Sequence, residues 1–131
     1  MSLACLEHTN LTTNEPDKLA DLFCELFGWH IRWSGPSLGD GYTVHVGTEQ
    51  RYLALYRPKA PIPGGRVTSR INNLNHIGLR VKEAKAVEER VIKRGFETYS
   101  HIDYGNCKSF YFMADPALEI EVVEYRKDPA L

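Results

Sequence analysis

The sequence has little of what marks several large classes of protein. Its three cysteines, Cys5, Cys24 and Cys107, are widely spaced and never form a Cys-x-x-Cys pattern, which argues against a disulfide framework and against a thiolate zinc site. No apolar run approaches the roughly 18 to 20 residues of a membrane span, and the N-terminus lacks the basic and hydrophobic pattern of a secretion signal. We therefore expect a cytoplasmic protein with reduced thiols.

Neither sign of charge is in excess. Sixteen basic and 17 acidic residues leave a formal net charge of -1. They are interspersed along the chain, so the sequence shows no electrostatic footprint for nucleic acid or for an anionic membrane. We expect neither as a partner, and a small-molecule substrate becomes the default ligand.

An internal repeat is the main feature that the sequence does have. The matching landmarks are 67 or 68 residues apart and keep their order, so we predict two copies of one supersecondary unit. Three pairs of segments match: Leu6-Glu7-His8 with Leu74-Asn75-His76, Phe27-Gly28-Trp29 with Arg94-Gly95-Phe96, and residues 52–56 with residues 119–123.

The length of 131 residues suits one domain made of these two copies. We place module 1 at about residues 4–58 and module 2 at about residues 73–126. The linker, at about residues 59–72, is rich in proline and glycine. The prediction is thus a single domain over residues 1–131.

Each copy is predicted to be β-α-β-β-β. Asn14 is expected to cap the first helix, and Gly28 to end it in the left-handed conformation; Gly95 should end the second. The buried stripes are predicted to be Leu19, Leu22, Phe23, Leu26 and Phe27 in the first helix and Ala84, Val87 and Val91 in the second. The predicted strands are 4–12, 29–34, 41–47 and 51–57, then 74–81, 96–102, 108–113 and 118–125.

Strand parity places three polar residues of the second copy on one face. Successive side chains of a strand point to opposite faces. His76, Tyr111 and Glu121 each alternate with apolar neighbours that would lie under the helix. All three should therefore lie on the face turned away from the helix, whereas the neighbours of His8 do not decide its parity.

These features together resemble the vicinal oxygen chelate superfamily, which includes glyoxalases, extradiol dioxygenases, fosfomycin-resistance enzymes and bleomycin-resistance proteins. The resemblance rests on the doubled βαβββ unit, the histidine in the first strand of each copy, Leu26-Phe27-Gly28-Trp29, and Phe110-Tyr111-Phe112 ahead of Ile120-Glu121-Val122-Val123-Glu124. It implies an α+β fold in which two tandem βαβββ modules form a curved, partly open mixed sheet around a central cavity, with the helices outside.

The resemblance also implies a metal site. Members of the superfamily hold a divalent metal through the first and last strands of each half. His8 and His76 match the first-strand ligands and Glu121 matches the last-strand ligand of the second half, while the equivalent position of the first half is Ala54, which cannot coordinate. The implied set of two histidines and one carboxylate suits Fe(II) or Mn(II) best and also allows Zn(II) or Ni(II).

Extradiol dioxygenases and fosfomycin-resistance enzymes are most similar to this ligand set. Both have a tyrosine at the place of Tyr111, whose hydroxyl can bond a metal-bound substrate oxygen. The sharpest expectation is a ring-cleaving dioxygenase with Tyr111 as a catalytic residue. The alternatives are a fosfomycin-resistance-like thiol transferase and a metal-free protein that binds a drug-like aromatic ligand. The family also implies a homodimer.

Departures from the family pattern keep these alternatives open. Extradiol enzymes take an acid-base histidine from the stretch before the second ligand, and residues 59–75 contain none. The phosphonate-binding groups of fosfomycin-resistance enzymes have only displaced counterparts here, such as Lys108 and Ser109. The remaining histidines, His30, His45 and His101, match no ligand position, and we expect them to be surface or packing residues.

Overall fold

The computed structural model describes residues 2–66 and 68–127. These residues form two α-helices, eight strands and a short 3-10 helix at Leu38–Asp40. The α-helices and strands follow the order β-α-β-β-β twice, which confirms the predicted α+β fold of tandem modules. Module 1 contains β1 His8–Thr12, α1 Pro16–Phe27, β2 His30–Ser37, β3 Gly41–Gly47 and β4 Tyr52–Arg57. Module 2 contains β5 Ile77–Arg80, α2 Ala84–Lys93, β6 Tyr99–Asp103, β7 Cys107–Asp115 and β8 Leu118–Tyr125.

Each module forms its own open, four-stranded mixed sheet. The strand orders are β1-β4-β3-β2 and β5-β8-β7-β6. The first and last strands of each module run parallel, and the other pairs run antiparallel. This topology places the first and last strands of each module side by side, and these are the strands at which the resemblance places metal ligands.

The chain divides into two compact units, residues 1–63 and 64–131. The boundary falls inside the predicted linker at about residues 59–72. In the part of the chain that is described, no helix has the length and hydropathy of a membrane span.

The ends of α1 are set by local backbone chemistry, with one difference from prediction. Pro16, whose fixed φ suits a first turn, begins the helix, and Gly28 follows its end with φ 70°. The predicted cap at Asn14 is wrong, because Glu15 holds that position without a side-chain hydrogen bond. The Asn14 amide instead bonds both backbone groups of Ile62, at 3.0 and 3.4 Å.

The core of module 1 lies between α1 and one face of its sheet. The predicted stripe of α1 is buried except at its last residue, Phe27, which is half-buried. Register explains the facing layer, since Val44 pairs with Leu55 and Val46 with Leu53, and all four are buried. Burying such a side chain stabilises the fold by about 1.5–3 kcal/mol relative to leaving it exposed.

Module 2 repeats this arrangement. Its core joins the predicted α2 stripe to two register pairs of β7 and β8, Phe110 with Val122 and Phe112 with Ile120, all buried. α2 ends one residue before the predicted stop, because Arg94 takes the C-cap position and Gly95 follows it with φ 95°. We call the side of each sheet turned away from its own helix the far face.

Candidate metal centre

The far face of module 2 brings together two of the three predicted ligands. Glu121, in β8, pairs with Gly78 of β5 and with Tyr111 of β7. A Cβ at Gly78 would lie 3.7 Å from Glu121 Oε1, so the glycine leaves space beside the carboxylate. His76 immediately precedes β5, and its Nε2 lies 3.7 Å from Glu121 Oε1.

Tyr111 holds the other oxygen of the same carboxylate. Its hydroxyl donates to Glu121 Oε2 at 2.6 Å, and its ring meets His76 edge-on, with ring centroids 5.6 Å apart. The hydrogen bond to Glu121, with a contribution from burial, raises the pKa of Tyr111 to about 12. The hydroxyl therefore remains a donor at neutral pH, and Oε1 is the oxygen that faces His76.

The pair of His76 and Glu121 fits part of a metal coordination sphere. Neighbouring ligands of an octahedral ion lie about 3 Å apart when each bond is about 2.1 Å long. The separation of 3.7 Å is slightly wider than that, and the two side chains remain 33% and 20% exposed. An imidazole nitrogen beside a carboxylate oxygen is a donor set that suits Fe(II) and Mn(II).

His8 and His76 are oriented in the same way in their separate modules. His8 Nδ1 lies 2.8 Å from Glu7 Oε1, and His76 Nδ1 lies 2.8 Å from Asn75 Oδ1. Carboxylate and amide oxygens only accept hydrogen bonds, so these contacts are hydrogen bonds when Nδ1 carries the proton, and in that tautomer each Nε2 keeps a lone pair. A metal-binding imidazole needs such a lone pair.

Two of the other histidines use the opposite nitrogen. His30 Nε2 lies 3.0 Å from Glu49 Oε1, and His101 Nε2 lies 2.5 Å from Glu88 Oε1. Their Nε2 atoms are engaged by carboxylates, which supports the prediction that neither is a ligand.

The far face of module 1 is aromatic around its histidine. His8 pairs with Tyr52 across β1 and β4, and their rings stack with centroids 5.0 Å apart. His45 packs against the same tyrosine at 4.6 Å and stands opposite Ala54, the buried residue at the position equivalent to Glu121. Burial is the main cause that lowers the pKa of His45, so its ring is neutral at pH 7.

A second carboxylate on the far face of module 2 accepts a hydrogen bond on each of its oxygens. Glu119 accepts one hydrogen bond from Tyr99 at 2.6 Å and one from Arg66 at 2.8 Å. Burial and the bond to Glu119 raise the pKa of Tyr99 to about 12. Arg66 also donates to the backbone carbonyl of Asn75 at 2.8 Å. Glu121 thus has the less engaged carboxylate of the two.

Sequence reasoning missed both the Glu119 network and the residues that orient the histidines. The signal for the latter was present in the repeat, since an oxygen-bearing side chain precedes the histidine in both Leu6-Glu7-His8 and Leu74-Asn75-His76. Within each unit by itself, the described residues gather no group of three histidine, cysteine or acidic side chains that could hold a metal. His8 belongs to the first unit and the other two ligands to the second, so the three-ligand set stays a prediction.

Comparison with known proteins decides the family. A sequence model of the Glyoxalase/Bleomycin resistance protein/Dioxygenase superfamily matches residues 6–117. The chain belongs to this superfamily. The match includes His8, His76 and Tyr111 and ends before Glu121. No curated protein matches this glyoxalase-superfamily chain.

Solved structures of low sequence identity share the fold. A glyoxylase/bleomycin resistance protein/dioxygenase domain from Frankia sp. EAN1pec has a TM-score of 0.82 at 17% identity and covers 98% of this chain and 96% of its own. The fosfomycin resistance protein FosX from Listeria monocytogenes, a mutant complexed with Mn(II) and 1S,2S-dihydroxypropylphosphonic acid, has a TM-score of 0.72 at 14% identity, with 97% and 95% covered. TnmS3, an antibiotic binding protein from Streptomyces sp. CB03234, has a TM-score of 0.69 at 15% identity, with 95% and 98% covered.

Proposed function

We propose that this member of the glyoxalase superfamily binds a divalent metal ion, Fe(II) or Mn(II), through His8, His76 and Glu121. The metal would chelate two neighbouring oxygens of a small substrate. The observation that carries the proposal is the pair on the far face of module 2, where His76 Nε2 and Glu121 Oε1 face each other at 3.7 Å. In module 1, His8 contacts the residue before it through Nδ1, as His76 does, so its Nε2 is the nitrogen proposed to bind the metal. Mn(II) in crystals of FosX supports a divalent metal in this fold.

The charge of the proposed site indicates the class of substrate. Two neutral histidines and one carboxylate leave a divalent ion with a net charge of about +1. Such a centre favours a small anionic ligand that offers two adjacent oxygens, such as a catecholate or a phosphonate. When bound, the metal supplies a Lewis acid that polarises the substrate oxygens.

Tyr111 is the proposed catalytic residue. Its phenolic hydroxyl is a hydrogen-bond donor, so it can donate to a negative charge that develops on a substrate oxygen. Its hydroxyl now bonds Glu121 Oε2, so its role would be to orient the ligand carboxylate and to turn to a substrate oxygen when one is present.

Ring-cleaving dioxygenation of a catechol-like compound remains the sharper proposal. The aromatic surroundings of His8 support it, since Tyr52 stacks on the histidine and Trp33, in contact with His45, is 47% exposed. Such surfaces suit an aromatic ring. The predicted homodimer and cytoplasmic location stay predictions.

A fosfomycin-resistance-like reaction is the second candidate, and one observation favours it. The Ser109 hydroxyl lies on the far face of module 2, two residues before Tyr111, and is buried without a hydrogen-bond partner among the described residues. A buried unpaired hydroxyl is costly, and an oxyanion such as a phosphonate would satisfy it.

The metal content of the purified protein tests the centre first. Protein prepared anaerobically, without a metal-affinity column, should carry near-stoichiometric iron or manganese. His76→Ala and Glu121→Ala should lose it, whereas His30→Ala, which removes a histidine whose Nε2 is already paired, should keep it. Absence of metal, with no binding of added Fe(II), Mn(II) or Zn(II), would contradict the proposal and leave the metal-free binding protein as the better interpretation.

Substrate assays then separate the two reactions. The metal-loaded protein should consume oxygen with catechols and yield a ring-opened product, and Tyr111→Phe should lower kcat by about 10²-fold or more, as expected for loss of one donor to a developing charge. Opening of a phosphonate epoxide with a thiol or water, and its selective loss in Ser109→Ala, would instead establish the second candidate.

A further inference from the structure

We infer that Glu7 and Asn75 are positioning residues that fix the tautomer of the two predicted ligand histidines. Each accepts the Nδ1 proton of the histidine that follows it, and so leaves the Nε2 lone pair available to a metal. The consequence for metal binding rests on the proposed function. The tautomer itself is a property of the metal-free protein and can be measured without it.

The same geometry occurs once in each module. Nδ1 and the accepting oxygen are 2.8 Å apart for Glu7 and His8, and again 2.8 Å apart for Asn75 and His76. The two acceptors differ chemically, one a carboxylate and one an amide, so a shared residue type does not explain the shared distance. What they share is the place immediately before the histidine at the start of the first strand of the module.

The other paired histidines show that this orientation is not common to all histidines of the chain. His30 Nε2 lies 3.0 Å from Glu49 and His101 Nε2 bonds Glu88, so both histidines contact carboxylates distant in sequence through Nε2. In a histidine held in that manner, the carboxylate already occupies Nε2. The Nδ1 arrangement is thus confined, among these four, to the two positions predicted to bind metal.

Each acceptor is itself held in place. Arg66 donates to the backbone carbonyl of Asn75 and to Glu119 of β8, both at 2.8 Å, which ties the residue before His76 to the sheet. Tyr52 places its hydroxyl 3.4 Å from the same Glu7 oxygen that His8 uses. Partners of this kind orient a ligand imidazole and raise its basicity, and their loss typically lowers metal affinity by about 10- to 100-fold.

The two histidines should differ in strength as metal ligands. A carboxylate partner makes an imidazole a more basic ligand than an amide partner does. Glu7 would therefore make His8 the stronger of the two histidine ligands. Glu7→Ala should lower metal affinity more than Asn75→Ala does, and Glu7→Gln, which keeps the accepting oxygen without the charge, should fall between wild type and Glu7→Ala.

The deciding experiment is NMR of the histidine ring nitrogens in the metal-free protein. At about pH 8.5, two units above the ordinary imidazole pKa of about 6.5, long-range proton–nitrogen spectra report which ring nitrogen carries the proton. Wild type should show protonated Nδ1 at His8 and His76. Glu7→Ala should shift His8 toward the other tautomer and leave His76 alone, Asn75→Ala should do the reverse, and Glu7→Gln and Asn75→Asp should retain the wild-type tautomer. Glu49→Ala, the matched control, should change only His30.

The outcomes separate this inference from the proposed function. Protonated Nε2 at His8 and His76 in wild type, or an unchanged His8 tautomer in Glu7→Ala, would overturn the inference whatever the protein binds. Protonated Nδ1 at both histidines with the expected variant shifts, in a protein that takes up no metal, would uphold the inference and refute the metal centre. Metal affinity that falls in Glu7→Ala and Asn75→Ala but not in Glu49→Ala would support both.

Discussion

Replacement of Tyr111 by phenylalanine is a direct test of the module 2 site, because it removes one oxygen atom and leaves the ring. That hydroxyl donates to Glu121 Oε2 at 2.6 Å, and the bond is the largest cause of the rise in the Tyr111 pKa from 10 to about 12. We expect Tyr111→Phe to lower the free energy of unfolding at pH 7 and to release the Glu121 carboxylate from its fixed orientation.

The raised pKa sets an upper limit on the effect, because burial and charge repulsion of the tyrosinate by Glu121 also contribute to it. A tyrosine pKa raised from 10 to about 12 corresponds to about 2.7 kcal/mol of difference between the neutral and ionised forms in the fold. Burial contributes part of that difference, and Glu121 remains partly exposed to water. Hydrogen bonds to charged groups contribute about 1.5–3 kcal/mol net. We therefore expect a loss of about 1–2 kcal/mol.

Two measurements check this value. Urea unfolding at pH 7 gives the change in the free energy of unfolding. The matched control is Tyr125→Phe, at a tyrosine that is 38% exposed, and its free energy of unfolding should equal that of wild type within about 0.5 kcal/mol. Absorbance titration gives the second, since Tyr99 and Tyr111 should ionise near pH 12 in wild type and only Tyr99 in the variant. Two tyrosines still ionising near pH 12 in Tyr111→Phe, or no loss of stability, would show that the Tyr111–Glu121 bond does not form.

Three further predictions concern the fold. The free energy of unfolding should fall between pH 10 and pH 12, because the unfolded chain releases tyrosine protons near pH 10 while Tyr99 and Tyr111 keep theirs to about pH 12. Urea unfolding at several pH values across this range measures the change. A free energy of unfolding that does not change with pH would argue against both raised pKa values. Phe112→Ala removes a fully buried ring and should cost about 3–5 kcal/mol by calorimetry or urea unfolding; a loss below about 1 kcal/mol would mean that the α2 face is loosely packed. Gly47→Ala would place a Cβ 2.3 Å from a backbone oxygen and should lower the free energy of unfolding by about 1–3 kcal/mol. Gly64→Ala, the control, has open space around it and should leave the melting temperature unchanged. Equal effects of the two substitutions would refute the close contact at Gly47.

The repeat and the strand parity explain why much of the second module was predictable. Parity depends only on the alternation of side chains along an extended backbone, so it placed His76, Tyr111 and Glu121 on one face without knowledge of the partner strands. The β8 bounds, Leu118–Tyr125, match the prediction for the same reason, since the apolar residues alternate throughout that segment. Helix periodicity likewise predicted the buried stripe of α2.

Boundaries that depend on distant partners were less predictable. β5 begins at Ile77 rather than at residue 74, which leaves His76 just ahead of the strand. Asn14 looks like a helix cap in the sequence, yet its amide bonds Ile62, 48 residues away. Local pattern cannot foresee a partner at that separation, because the pairing is created by the path of the chain after β4.

The α+β repeat, the two α-helices and the common face of His76, Tyr111 and Glu121 could be predicted from the sequence, because each of these follows from periodicity over a few neighbouring residues. Three features could be read only from the folded structure: each module makes its own sheet, Arg66 and Tyr99 donate hydrogen bonds to Glu119, and His45 pairs with Ala54. The folded structure also shows which oxygen of Glu121 faces His76. These features depend on which strands pair and in which register, and hydrogen bonds between segments far apart in the chain set that register.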